Sequence, residues 1–405
     1  MSALGLQSRP GHSLFKFRIG EPSISRSKVP SSEKDAALIL EDGTILLGKG
    51  FGAEKTITGE VVFNTGMVGY PESLTDASYF GQILVQTWPL VGNYGVANPE
   101  ISDPFGVPLH FESEEVQVSG YVISELESPS HWSARESLSE WLAKNEVPGI
   151  AGIDTRELTK MLRTQGTMLG QLSVGGSSSL EQLKKRAESI EDPNALDLVG
   201  RVSIREEREY NAGGEPRVVV IDCGTKLGIL RNLLAQRLNV VQVPYDTPAR
   251  KILALEPAGV VVSNGPGDPR KCTPTIESVR SLLETDLPIF GICLGAQVLA
   301  LSTGGETYKL KFGHRAQNHP CGDVRTGRVY ITTQNHGYTV DEKSLEDFEV
   351  SFVNLNDRTV EGIRHKRKKV FGVQFHPEAS PGPYETGFLF DDFAKAAREF
   401  QSGKA

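Results

Sequence analysis

Cysteine is scarce in this chain, with four in 405 residues, at positions 223, 272, 293 and 321. That is too few for a disulfide framework, and no pair has C-x-x-C spacing, so redox and zinc motifs of that kind are missing too. No apolar run approaches the roughly 20 residues needed to cross a bilayer. Excess positive charge is also lacking: the formal net charge is −8, which gives no reason to expect nucleic acid or an anionic membrane as partner. The chain has no G-x-x-x-x-G-K-[ST] sequence, so P-loop nucleotide chemistry is not expected in it. These absences point to an intracellular, reducing compartment. What is present is ordinary for a soluble protein, with 38% hydrophobic and 23% charged residues in a length that suggests two or three domains.

Residues 1–34 stand apart. They carry six Lys/Arg against two acids, and prolines at 10, 22 and 30 interrupt any long amphipathic helix. One reading is an organelle transit peptide, which is basic, Ser-rich and acid-poor; a disordered tail is the other, and we favour it. From Ala36 two strand-like runs flank an Asp42-Gly43 turn, a hairpin signal. Short strands, Gly/Pro turns and a helix near Ala134–Asn145 then suggest an α+β domain over 35–172. Residues 173–215 are richer in Ser, Gly and charge, hold a helical piece near Leu180–Ile190, and read as a connector.

At Arg217 the rhythm changes. Apolar strands at Arg217–Asp222, Asn239–Val243, Gly259–Ser263 and Pro288–Ile292 alternate with helices, the first over Lys226–Arg237. This alternation predicts an α/β fold with a doubly wound, mostly parallel sheet over 216–401. Later strand candidates, Val329–Thr333, Val350–Asn354 and Val370–Phe375, lack long helices between them and predict an antiparallel edge before a final helix over Thr386–Phe400.

Three local patterns could carry chemistry. Phe290-Gly-Ile-Cys-Leu-Gly-Ala-Gln297 places Cys293 between two glycines where a buried strand meets a helix, as in a G-x-nucleophile-x-G elbow. A helix N-terminus favours thiolate there, whereas most free cysteines are simply small buried hydrophobes. His376 and Glu378, two apart in an extended segment, would project to one side, so that Glu378 could orient the ring while its other nitrogen faces a thiolate. A solvated His-Pro-Glu turn is the plain alternative. The loop Ser263-Asn-Gly-Pro-Gly-Asp-Pro269 follows an apolar strand, where a glycine N–H could approach a reacting carbonyl or could merely turn the chain.

Together these motifs resemble the class I glutamine amidotransferases, which act through a triad. Lys309-Leu-Lys-Phe-Gly-His-Arg-Ala-Gln-Asn-His-Pro320, Gln334-Asn-His-Gly-Tyr338 and His376-Pro-Glu-Ala-Ser-Pro-Gly-Pro383 are similar, more narrowly, to the small, glutamine-hydrolysing subunits of carbamoyl phosphate synthetase. The first domain agrees through Gly59-Glu-Val-Val-Phe-Asn-Thr-Gly66, Gly69-Tyr-Pro-Glu-Ser-Leu-Thr-Asp76 and Gly152-Ile-Asp-Thr-Arg-Glu-Leu158. The resemblance runs from about Ala36 to the C-terminus, and other amidotransferases share only the second half. It implies a small-subunit N-terminal domain followed by a flavodoxin-like amidotransferase domain.

By matching motif, Cys293 would be the nucleophile, His376 its base and Glu378 the orienting carboxylate. L-Glutamine would be bound through Ser78, Gly265, Gly267, Leu294, Gln297, Asn335, Gly337 and Tyr338, with the amides of Gly267 and Leu294 as oxyanion hole. Two positions depart from the pattern: Ala296 stands where the family more often has His, and Ala77 replaces a common proline before Ser78. The resemblance further implies a large synthetase subunit as partner, in a heterodimer or a higher oligomer of heterodimers, which would hold ATP and divalent metal. This chain would need no cofactor and no metal of its own. A cytoplasmic location is expected, or an organelle if residues 1–34 are a transit peptide. Another amidotransferase, a cysteine peptidase and a catalytically silent docking subunit are the competing readings. By the same resemblance the product would serve arginine synthesis, pyrimidine synthesis or both.

Overall fold

The computed structural model describes residues 34–176, 180–187, 189–211 and 213–403, so the reading of the 1–34 segment lies outside the described residues except for Lys34. The hairpin forms: Lys34–Leu40 pairs antiparallel with Ile45–Gly52, and Gly43 takes a positive φ of 86° at the turn. Side chains alternate across the first strand. Ala36, Leu38 and Leu40 point into one core, while Ala37 and Ile39 pack against Leu183 and Ala187 of the helix Leu180–Ala187. A strand buried on both faces shows no alternation of polarity in its sequence, and here part of the connector supplies the outer cover.

The α+β region closes into a seven-stranded barrel. Its order is Lys34–Leu40, Ile45–Gly52, Pro148–Ala151, Gly120–Val122, Gln82–Gln86, Thr56–Asn64 and Met168–Val174, the last pairing back onto the first. The helix expected near Ala134–Asn145 starts later, at Leu138. Ser137 sets that start through a capping box, its hydroxyl accepting from Glu140 N at 3.2 Å and its own N–H donating to Glu140 Oε2 at 3.0 Å.

The second region is built on a ten-stranded sheet. Five strands run parallel through its middle: Asn239–Pro244, Arg217–Asp222, Val260–Val262, Ile289–Ile292 and Val370–Val373. Apolar side chains cover both faces, with Ile221, Val262 and Leu299 in one layer and Val220, Phe290 and Phe393 in the other, so the sheet is doubly wound. Each such buried side chain contributes roughly 1.5–3 kcal/mol.

The antiparallel part is larger than the expected edge. Val360–His365, Phe348–Asn354, Thr307–Asp323 and Val329–Val340 extend one side, and Arg208–Tyr210, inside the stretch read as connector, pairs antiparallel on the other. The 17-residue strand Thr307–Asp323 had no counterpart in the sequence reading. Tyr308, Leu310 and Phe312 alternate with Lys309 and Lys311, but the polar run from Gly313 keeps no period of two, and shifts between Lys309 and His314 and between Ala316 and His319 break the register. Among the described residues no helix is long and apolar enough to cross a membrane.

Candidate active site

The site begins at the elbow between strand Ile289–Ile292 and helix Leu294–Ser302. Cys293 has φ 54° and ψ −103°, a strained conformation for a residue with a side chain. Its flanking glycines are sterically required. A Cβ on Gly291 would lie 2.6 Å from the Gly295 carbonyl, and one on Gly295 would lie 2.0 Å from Val262 O. The strain is held in place by Cys293 N donating to Val373 O at 2.8 Å and Gln297 N to Cys293 O at 3.3 Å. The thiol is 2% exposed, lies 3.7 Å from Asn335 O, and accepts from Gln374 Nε2 at 3.5 Å.

His376 and Glu378 do come together, in a different geometry from the one expected. The strand ends at Val373, and His376-Pro377-Glu378 occupies the turn beyond it, tied by His376 N to Thr333 O at 2.9 Å and Ala379 N to His376 O at 3.1 Å. The turn brings His376 Nδ1 to 2.6 Å from Glu378 Oε1. The other ring nitrogen, Nε2, is buried with no hydrogen-bond partner. Glu378 Oε1 is also 3.1 Å from Lys226 Nζ, which donates to Ala379 O at 2.8 Å.

Burial works against charge on all three groups, and the attraction of Glu378 for both cations outweighs it. The Lys226 ammonium and His376 hold Glu378 down at about 2. For His376, burial lowers basicity, but Glu378 and the nearby Cys293 push it up to about 10. Lys226 stays well above its ordinary range because Glu378, Glu112 and Asp76 surround it. A ring made basic by its orienting carboxylate, with its second nitrogen free, is equipped to hold the proton a thiol gives up on attack.

The eight positions assigned to glutamine line one small cavity with Cys293: Ser78, Gly265, Gly267, Leu294, Gln297, Asn335, Gly337 and Tyr338. His376 and Glu378 do not line it; His376 borders a second small cavity with Lys226 and Asp76. Both loop glycines are obligatory, since Gly267 has φ 82° and a Cβ on Gly265 would sit 2.1 Å from Cys223 O. Gln297 spends both amide hydrogens on the protein, donating to Tyr338 O at 2.8 Å and Gln374 Oε1 at 3.0 Å, so it anchors the pocket strand Val329–Val340. Ala296 is 3% exposed and packs on Gly372 behind the elbow.

Ser78 reaches the site from the barrel region. Asp76 caps its turn, accepting from Ser78 N at 2.9 Å, and also accepts from Asn335 Nδ2 at 2.9 Å, while Asn264 Nδ2 donates to Ser78 Oγ at 3.0 Å. Sequence patterns assign no role to Asp76, or to Asn194, Glu60, Lys309 and Arg315; the last four line the cavity. Burial raises Glu60, but Lys309 at 2.7 Å and Arg315 hold it below its ordinary value. The cavity wall therefore carries one carboxylate and two cations. Glu60, Asp76, Lys309 and Arg315 all fall inside the motifs that carried the resemblance, so the signal was present without a role attached to it.

Comparison with known proteins agrees with both halves of this arrangement. Residues 38–172 match the CPSase domain of the carbamoyl-phosphate synthase small chain, and residues 219–396 match the class-I glutamine amidotransferases. The carbamoyl phosphate synthase small chain of Archaeoglobus fulgidus is 48% identical over 370 residues, which are 90% of this chain and 99% of the relative. That of Methanopyrus kandleri is 49% identical over 370 residues, again 90% and 99%. The arginine-specific small chain of Aspergillus clavatus is 46% identical over 387 residues, 95% of this chain and 83% of the relative.

Proposed function

Since the chain belongs to the family of carbamoyl phosphate synthase small chains, we propose that it hydrolyses glutamine and passes the ammonia to a large synthetase subunit. The observation that carries this reading is Cys293 in one cavity with the eight positions the resemblance assigns to glutamine, beside a His376–Glu378 pair at 2.6 Å. In the proposed reaction the Cys293 sulfur attacks the side-chain amide carbon of glutamine. A C–S bond forms, and the amides of Gly267 and Leu294 stabilise the oxyanion, each such donor being worth roughly 3–4 kcal/mol of barrier. His376 holds the thiol proton and gives it to the departing nitrogen as the C–N bond breaks. Water, deprotonated by the same ring, then cleaves the thioester to glutamate and regenerates the thiol.

The large subunit, in a heterodimer or a higher assembly of heterodimers, would combine the ammonia with bicarbonate and ATP to give carbamoyl phosphate, and would hold the nucleotide and divalent metal. We place this chemistry in the cytoplasm. The product would serve arginine or pyrimidine synthesis or both; the fungal relatives named arginine-specific favour the former. The test is glutamate release from glutamine by the purified chain, with and without the synthetase subunit, bicarbonate and ATP. We expect slow release alone and faster release in the complex. Absence of glutamate under every condition would overturn the assignment in favour of a silent docking subunit.

A further inference from the structure

Glu112 comes from a loop of the barrel region and is 0% exposed, yet nothing in the reaction above uses it. Its carboxylate and carbonyl are bound by the first half of the helix Leu227–Ala235 of the other region. Gly228 N donates to Glu112 Oε2 at 2.9 Å, Leu227 N donates to the Glu112 backbone carbonyl at 2.9 Å, and the Arg231 guanidinium binds Oε1. The helix needs this cap from outside, because its own N-cap residue, Lys226, offers no acceptor and carries the wrong charge for that end. The loop is itself pinned, with Glu112 N donating to Thr75 Oγ1 at 2.9 Å.

The helix end that Glu112 caps also holds the hydrolytic turn. Lys226 Nζ binds Glu378 Oε1 and Ala379 O, and Arg231 Nη2 donates to Ser380 Oγ at 3.2 Å. Ala379 and Ser380 both have positive φ, 58° and 57°, an unfavourable conformation for residues with side chains and one that persists only when neighbours hold it. A separate observation brings the two glutamate side chains together at one residue, Gly228. A Cβ on Gly228 would meet Glu112 Oε2 at 2.9 Å, Glu378 Cγ at 3.1 Å and Ser380 Oγ at 3.2 Å. Glu112 and Glu378 thus flank one glycine.

We propose that Glu112 is a positioning residue for Cys293, His376 and Glu378, the strut by which the barrel region sets the hydrolytic geometry next door. It rests on the glutaminase reading above and names the route by which pressure on the barrel reaches the triad. Displacement of a catalytic group by about 1 Å can cost ~100-fold in rate, and Glu112 controls such a displacement without touching glutamine.

The experiment measures glutamate release by the full chain, comparing Glu112→Gln, Glu378→Gln and the double variant. Glu112→Gln keeps an acceptor for Gly228 N and loses the charge that holds Arg231. We expect kcat to fall about 10-fold with KM within about 3-fold, because none of the residues assigned to glutamine is bonded to the Glu112 carboxylate. In the Glu378→Gln background the same change is expected to cost less than about 2-fold, since the group it positions is already impaired. A parent-like kcat for Glu112→Gln, or an equal further loss in the double variant, overturns the proposal. Should Glu112→Gln not fold, Gly228→Ala, whose Cβ would press on Glu112 Oε2 and on Glu378 Cγ, must show the same kcat loss and the same dependence on Glu378. A parent chain that releases no glutamate even in the complex would instead count against the glutaminase reading.

Discussion

Two buried histidines in the ten-stranded region are built from similar parts. His376 Nδ1 lies 2.6 Å from Glu378, and His314 Nε2 lies 2.8 Å from Asp357 with Glu361 at 3.4 Å from its other nitrogen. In both, burial lowers basicity and carboxylates more than restore it, to about 10 for His376 and about 9 for His314. Judged by basicity alone, either could be a functional centre. The difference lies in what is left over. His376 keeps Nε2 unpartnered beside a strained cysteine, whereas His314 faces a carboxylate with each nitrogen. Glu361 is further engaged by Asn354 at 2.8 Å and Gln334 at 2.9 Å. A perturbed histidine becomes a candidate base when it has an unused valence facing a nucleophile; a fully satisfied one is a structural clamp.

The sharpest way to break this comparison is at the nucleophile. Cys293→Ser is expected to lower glutamine hydrolysis by about 10⁴-fold or more, as loss of a triad nucleophile does. Synthesis from added ammonia by the complex should survive, and joint loss of both activities would make the thiol structural. Next in size are the histidines. His376→Gln is expected to cost about 10³-fold in kcat, within the range for a general base, while His314→Gln should stay within about 3-fold. Similar losses in the two variants, measured as glutamate release at saturating glutamine, would erase the distinction drawn here.

The carboxylates should divide in the same way, with smaller effects. Glu378→Gln keeps a partner for the His376 ring and removes its charge, so a kcat loss smaller than that of His376→Gln is expected. Asp357→Asn should leave kcat within about 2-fold and act on thermal stability instead. Paired kinetic and melting measurements on the two variants make the check.

Much of the catalytic side of this contrast was legible in the sequence, because it is local. Gly291, Cys293 and Gly295 lie within five residues, and His376 and Glu378 within three. The clamp side was not. His314 sits 43 residues from Asp357, in a polar strand with two register shifts that periodicity could not detect. Distance in sequence also hid Glu112, whose partner Gly228 is 116 residues away, and Asp76, which holds Asn335 across 259. Ser78 was reached through the family resemblance, since nothing in its own neighbourhood marks it as part of a pocket. Barrel closure escaped for a related reason. Strand Lys34–Leu40 pairs with Met168–Val174 across the whole region, and short buried strands do not announce their partners.

The smallest expected effect tests the clamp by pH. His314 has its folded-state basicity raised from 6.5 to about 9. A group raised in this way contributes stability that is fully present below pH 6.5 and is lost as pH rises through about 9. Asp357, held below its ordinary value by His314 despite the opposing effect of burial, titrates at the acid end and leaves this window clear. His376 loses its contribution over an overlapping range, up to about 10, so the parent's melting curve alone cannot separate the two. Subtraction can. His314→Gln retains hydrogen bonds to the clamp but does not titrate, while His376 is common to both proteins. The variant should melt a few degrees below the parent near pH 6, and the gap should close to about one degree by pH 9.5. A gap that stays constant across that range would mean that His314 carries no proton in the folded chain, and the likeness between the two histidines would rest on distance alone.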